Sequence, residues 1–259
     1  MTTTNPPALQ LYTVRELLPG DRAGVLARIA AFGYGAVEAF DVLTDTDGLH
    51  ADLAAAGLGV SSVHAIPSGD QAEAIAAAAV TLGTDTIIVP YQPPARFADA
   101  DSVRALAREL NEMATWAAGH GLRVGYHNHD FELSSHLGGR PALEVLADQL
   151  QDGIILEVDT YWAAVGGQDV PDLLRRLGDR VGYLHVKDGP VVNREDFMTA
   201  VGAGQMPVAQ VLAASPSAAW HIVELDRCAT DMMTAVGDSL AWLAAHGLAE
   251  PAAPSGGRS

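Results

Sequence analysis

Three apolar runs in the second half of the chain each end in a residue able to ligate a metal or move a proton. IILEVD closes on Asp159, GYLH on His185 and HIVE on Glu224. Two carboxylates and one imidazole make a hard, mixed oxygen–nitrogen donor set. Such a set suits Mn²⁺, Mg²⁺, Zn²⁺ or Co²⁺ better than copper or an iron–sulfur cluster. A fourth donor is expected from YHNHDFEL (Tyr126–Leu133), where Glu132, His127 and His129 are the candidates and Glu132 is preferred. Glu38, His64 and His127 close apolar runs earlier in the chain. A single histidine or glutamate in such a position is as often structural as functional. Six of them on one face are hard to explain by packing.

The elements that must bring them together follow from the same runs. Strands are predicted over Ala8–Leu11, Ala36–Glu38, Val60–His64, Thr86–Val89, Arg123–His127, Ile154–Asp159, Val181–His185 and Trp220–Glu224. Helical stretches lie between them, near 21–32, 46–56, 69–82, 100–120, 141–150, 170–177, 208–213 and 232–245. Gly33, Gly57, Gly83, Gly121, Gly178 and Gly247 follow helices as C-terminal caps do, and Asp99 or Asp101 can cap the helix at 100. Eight strand–helix units predict an α/β chain folded as a single (β/α)8 TIM barrel over residues 1–248. In that fold all strand ends meet on one face, where barrel enzymes keep their sites. A doubly wound open sheet competes, but no Gly-rich phosphate loop follows the first strand. Residues 249–259 are rich in Ala, Pro, Gly and Ser and are expected to be a disordered tail.

Composition narrows the function classes. The 259 residues hold 15 Lys and Arg against 32 Asp and Glu, a formal charge of −17. Phosphate backbones and anionic lipid surfaces need basic footprints, so nucleic-acid and membrane partners are not expected. The lone Cys228 excludes an intrachain disulfide and fits a reducing compartment, the cytoplasm. MTTTNPPALQ carries no signal core, and no uncharged run of 18 apolar residues predicts a membrane span.

On six segments the chain resembles the sugar phosphate isomerase/epimerase family, the xylose-isomerase-like TIM barrels. They are LQLYTVREL (Leu9–Leu17), GYGAVEAF (Gly33–Phe40), YHNHDFEL, LEVDTYW (Leu156–Trp162), YLHVKD (Tyr183–Asp188) and IVELDR (Ile222–Arg227). The resemblance implies one divalent metal, Mn²⁺ foremost, on a Glu–Asp–His–Glu set, here Glu132, Asp159, His185 and Glu224. It also implies homo-oligomers and a small carbohydrate substrate. Two departures stand out. His127 ends the fifth strand where many relatives carry Glu, and VGAGQMPVAQ (Val201–Gln210) replaces an acidic Gly-rich turn.

The expected chemistry is proton abstraction beside a carbonyl, with the enediolate stabilised by the cation. Glu224 and Glu132 form the expected acid–base pair. Return of the proton to the opposite face gives an epimer, and to the neighbouring carbon an isomer. Lys187 would orient substrate or stabilise an oxyanion, unless it pairs with Asp188. His127 would hydrogen-bond or act as general acid; His64, His129, Trp162 and Tyr12 would bind substrate, with Tyr91 beside them. Glu38 is expected to brace Arg15 or another ligand, and Arg227 to anchor Asp226. The remaining histidines, at 50, 120, 136, 221 and 246, read as surface or structural. No phosphate site is evident, so the substrate is expected to be an unphosphorylated sugar, keto-sugar, glycoside or polyol. A lyase or dehydratase of 3-keto-glycosides or ketocyclitols is the serious rival. A sugar-binding barrel without chemistry is weaker, because Asp159, His185 and Glu224 are all present. An abasic-site endonuclease would need a basic groove.

Overall fold

A computed structural model describes residues 5–253 of the chain. Eight strands close a parallel barrel: β1 (Ala8–Gln10), β2 (Ala36–Phe40), β3 (Gly59–His64), β4 (Thr86–Val89), β5 (Arg123–His127), β6 (Ile155–Asp159), β7 (Val181–Val186) and β8 (Trp220–Val223). Each strand pairs with its sequence neighbours, and β1 closes the ring against β8 through Ala8 opposite Ile222. Helices wrap the outside, and the main apolar core lies between them and the strands. The predicted (β/α)8 architecture is therefore the observed one.

Strand alternation sorts the interior into layers. Successive side chains point to opposite faces, so residues two apart share a face. The floor of the barrel is apolar: Ala8, Ala36, Ile88, Tyr183 and Ile222 cluster apart from the main core. Two residues further along the strands stand Gln10, Glu38, His185 and Glu224. On β6 the same face carries Ile155, Glu157 and Asp159, so a charge enters one layer below the strand end.

The helix boundaries have local causes. The Asp45, Asp99 and Asp231 side chains accept hydrogen bonds from the N–H of Gly48, Ser102 and Thr234, capping Thr46–Ala56, Ala100–Gly119 and Met232–Ala245. Gly33 ends Leu18–Phe32 at φ 104°, a left-handed conformation that disfavours any side chain.

Several predicted bounds shift. The first strand stops at Gln10, and Leu11–Val14 forms a 3-10 turn. β2 continues past Glu38 to Phe40 and β7 past His185 to Val186, whereas β8 stops one residue before Glu224. The helix expected at 141–150 covers only Ala142–Ala147. Two short helices, Phe131–Ser134 and Thr160–Val165, follow β5 and β6, the second of them directly. Within the segment expected as a tail, the Ala252 N–H donates to the Gly33 carbonyl at 2.8 Å. The last six residues of that segment, 254–259, lie outside the described residues. Among the described residues no helix is long and apolar enough to cross a membrane.

Candidate metal and acid–base site

A cavity of ≈ 420 Å³ opens at the C-terminal ends of the strands, lined among others by Tyr12, His64, Tyr91, His127, His129, Trp162, Lys187 and Glu224. Every residue expected to bind substrate is therefore on its wall. A larger cleft of ≈ 740 Å³ lies beside it, across Phe40 and Asp41. That cleft holds none of the buried charges, so the smaller cavity is the candidate site.

Its base is a buried network contributed by seven of the eight strands or the residues that follow them. Glu38 accepts from Gln10 Nε2 at 2.7 Å and from the Ser62 hydroxyl, and lies 2.7 Å from His185 Nε2. It does not touch Arg15, whose guanidinium donates to the carbonyls of Tyr12 and Asp226. Glu38 braces a ligand-type histidine instead. Glu157 Oε2 lies 2.7 Å from His64 Nε2, 3.0 Å from His127 Nδ1 and 3.2 Å from His185 Nε2. One layer higher, His185 Nδ1 is 2.7 Å from Glu224 Oε2, and His127 Nε2 is 3.8 Å from Asp159 Oδ2.

Lys187 is buried among these carboxylates, 2.8 Å from Asp159, 2.6 Å from Glu224 and 2.8 Å from Asp226. It does not pair with Asp188, which an extended backbone turns the other way. Asp188 instead accepts four backbone N–H bonds, from Gly189, Gly202, Gly204 and Met206, at 2.8–3.1 Å. Nor does Arg227 anchor Asp226: it reaches Glu195 at 3.0 Å.

Glu132 is the expected ligand that the structure places elsewhere. It is fully buried, accepts from the Tyr126 hydroxyl at 2.8 Å and from the His129 N–H at 2.9 Å, and belongs to neither group of converging donors. The short helix Phe131–Ser134 turns the chain back after His129 and carries Glu132 behind β5. The residue of the fifth-strand region that joins the converging donors is His127.

Electrostatics follow from burial and crowding. Burial pushes the Glu38 carboxyl up, but His64 and His185 outweigh it and hold it well below the usual range. Burial pushes His64 down, yet Glu38 and Glu157 raise it to about 10. His185 is raised likewise by Glu157, Glu224 and Glu38 against its burial. Burial keeps His127 and His129 neutral, His129 at about 4. Burial lifts Asp159 to about 6 despite Lys187, and lifts Glu132 to about 7. Glu224 is buried too, but Lys187 and His185 keep it ionised.

Two groups of four donors can hold a metal ion: His127, Asp159, His185 and Glu224, and one layer below, His64, His127, Glu157 and His185. The upper group fits a divalent cation on two further counts. Asp159 Oδ2 is buried and has no hydrogen-bond partner among the described residues, only the Lys187 charge. The carboxylates of Glu38, Glu157, Asp159, Glu224 and Asp226 also outnumber Lys187 and the protonated His64 and His185, a local excess of negative charge that a cation offsets.

Glu157 and Gln10 are the residues of this network that the strand-end reading missed. Period-two alternation would have found Glu157, because it sits two residues before Asp159 in ILEVD and shares its face. Gln10 carries no comparable signal.

Comparison with known proteins bears on the fold. The model of the xylose isomerase-like TIM barrel family matches residues 26–246. A sugar phosphate isomerase/epimerase from Parabacteroides distasonis superposes with a TM-score of 0.78 at 21% identity, over 96% of each chain. A probable 3-DHS dehydratase from Bacillus anthracis gives 0.71 at 15% identity, over 92% of this chain and 98% of that one. A 3-keto-D-glucoside 4-epimerase from E. coli gives 0.69 at 18% identity, over 93% and 100%. At such identities the likeness shows the fold alone. A search of curated proteins returned no match.

Proposed function

The chain belongs to the xylose isomerase-like TIM barrel family, and from that premise we propose that it is a divalent-metal-dependent sugar isomerase or epimerase. The substrate in this reading is an unphosphorylated sugar or keto-sugar, and the reaction passes through an enediolate. The observation that carries it is the upper donor group at the base of a cavity walled by Tyr12, Tyr91 and Trp162. Aromatic faces suit sugar C–H surfaces, and the buried carboxylates suit hydroxyl and cation recognition.

His127, Asp159, His185 and Glu224 would hold the cation, with Mn²⁺ as the first choice. When bound it supplies Lewis-acid polarisation of a substrate carbonyl. The rest falls to the chain's own groups. Glu224, kept ionised by Lys187 and His185, takes the proton from the carbon beside the carbonyl. Lys187 places a buried positive charge next to the developing oxyanion. Asp159 Oδ1 accepts from the Trp162 N–H at 2.9 Å, which fixes both the carboxylate and the aromatic wall. Glu132 does not reach the cavity wall, so a different group must return the proton across it. His129 fits that role: it lines the cavity, burial keeps it neutral, and it packs against Tyr91 and Phe131.

The same observation supports a second reading. An imidazole on the wall of the same cavity as Glu224 can protonate a leaving oxygen, which turns the enediolate step into dehydration or glycoside elimination. Product analysis separates the two. Chelator-stripped protein, reloaded with Mn²⁺, is incubated with ketoses, 3-keto-glycosides and inosose, and products are read by ¹³C NMR. Conversion restored by metal, with carbon and oxygen count retained, supports the isomerase. Metal-restored loss of water or of an aglycone supports the lyase, and turnover indifferent to metal refutes both.

A further inference from the structure

His127 and His185 each turn one ring nitrogen to the upper carboxylates and the other to Glu157. His127 presents Nε2 to Asp159 and Nδ1 to Glu157. His185 presents Nδ1 to Glu224 and Nε2 to Glu157. Three imidazole nitrogens from three strands thus converge on one carboxylate oxygen, Glu157 Oε2, at 2.7, 3.0 and 3.2 Å. The other oxygen, Oε1, is buried with no hydrogen-bond partner among the described residues. Supporting carboxylates for imidazoles are usually fully satisfied; this one surrounds itself with nitrogen donors and leaves an oxygen over.

We propose that His64, His127, Glu157 and His185 form a second, lower cation position, which excludes occupancy of the upper one and prefers imidazole-seeking metals such as Zn²⁺. Three points carry this. The lower set has three nitrogens and one oxygen, whereas the upper has two of each, and imidazole-rich sets favour zinc, nickel and cobalt over manganese and magnesium. Lys187 contacts Asp159 and Glu224 but no atom of the lower set, so a cation there displaces imidazole protons and no ammonium. A neutral imidazole offers one lone pair, so His127 and His185 cannot serve both positions without losing a second proton each. One cation per chain, partitioned by its ligand preference, is the consequence. Glu38, 3.0 Å from His64 Nε2 and 2.7 Å from His185 Nε2, supplies further negative charge beside the lower position.

The test uses Co²⁺, whose four-coordinate, nitrogen-rich complexes absorb strongly in the visible, and Mn²⁺, read by electron paramagnetic resonance. The Asp159→Asn, Glu224→Gln double variant is expected to bind one Co²⁺ with strong absorption, and adding His64→Asn to abolish that absorption. His64→Asn in the otherwise native chain is expected to keep its one equivalent of Mn²⁺. Melting curves verify that each variant is folded; Glu224→Gln alone and His64→Gln replace any that is not. A folded double variant that binds no Co²⁺, or absorption that survives loss of His64, overturns the proposal. Either result leaves the upper group, and the function read from it, to its own test.

Discussion

Asp159 and Glu132 are both fully buried carboxylates within the same quarter of the barrel, yet their surroundings assign them different work. Asp159 has one oxygen tied to the Trp162 N–H and the other facing Lys187 and the donor group. Both Glu132 oxygens are consumed by Tyr126 and the His129 N–H. Asp159→Asn is therefore expected to lose at least tenfold in Mn²⁺ affinity, by calorimetry on chelator-stripped protein. Glu132→Gln is expected to stay within threefold of the native value, and equal losses would reinstate Glu132 as a ligand. His221 provides the pH prediction. Burial lowers it to about 4, below its unfolded value. The unfolded chain thus binds the extra proton between about pH 6.5 and 4. The group's contribution is fully present above that window and lost as pH falls through it, on the order of 3 kcal/mol. His221→Leu should flatten the fall of the melting midpoint between pH 6.5 and 4; an unchanged slope would refute the assignment.

At the scale of elements, one side chain gathers much of the loop after β7. Asp188 is buried and its four N–H partners span Gly189–Met206. Asp188→Ala would orphan those donors and is expected to cost about 3–5 kcal/mol. For a chain of this size that lowers the melting midpoint by about 10 °C. A shift under 3 °C would show that the loop finds other anchors. The order of strands and helices was legible because most strands are short apolar runs, often β-branched, closed by a polar residue. The caps were legible because Asp and Gly mark helix ends for a stated reason. The register inside the barrel was not. Counting strand ends picks out Asp159, His185 and Glu224, but Glu157 needs the alternation to be followed inward. The course of the chain after β5 was also hidden. A four-residue helix, set by tertiary packing of Phe131 and Leu133, decides that His127 rather than Glu132 joins the donors.

Taken as a whole, the molecule is a strongly acidic barrel, −17 in formal charge, that gathers five carboxylates around one lysine and three histidines at one end. The arrangement is costly to bury unless protons or a cation offset it. A cation held there would couple to folding, and Mn²⁺ is expected to raise the melting midpoint with its concentration. In the proposed reaction this charge serves to draw a proton from carbon. That step is tested by incubating Mn²⁺-loaded protein in D₂O with ketoses, 3-keto-glycosides and inosose and following deuterium by NMR. The account predicts deuterium entering a carbon beside a carbonyl, and a 10²–10⁴-fold slower entry with Glu224→Gln. Exchange that is unaffected by Glu224→Gln, or conversion of a substrate with no exchange at any such carbon, would contradict it.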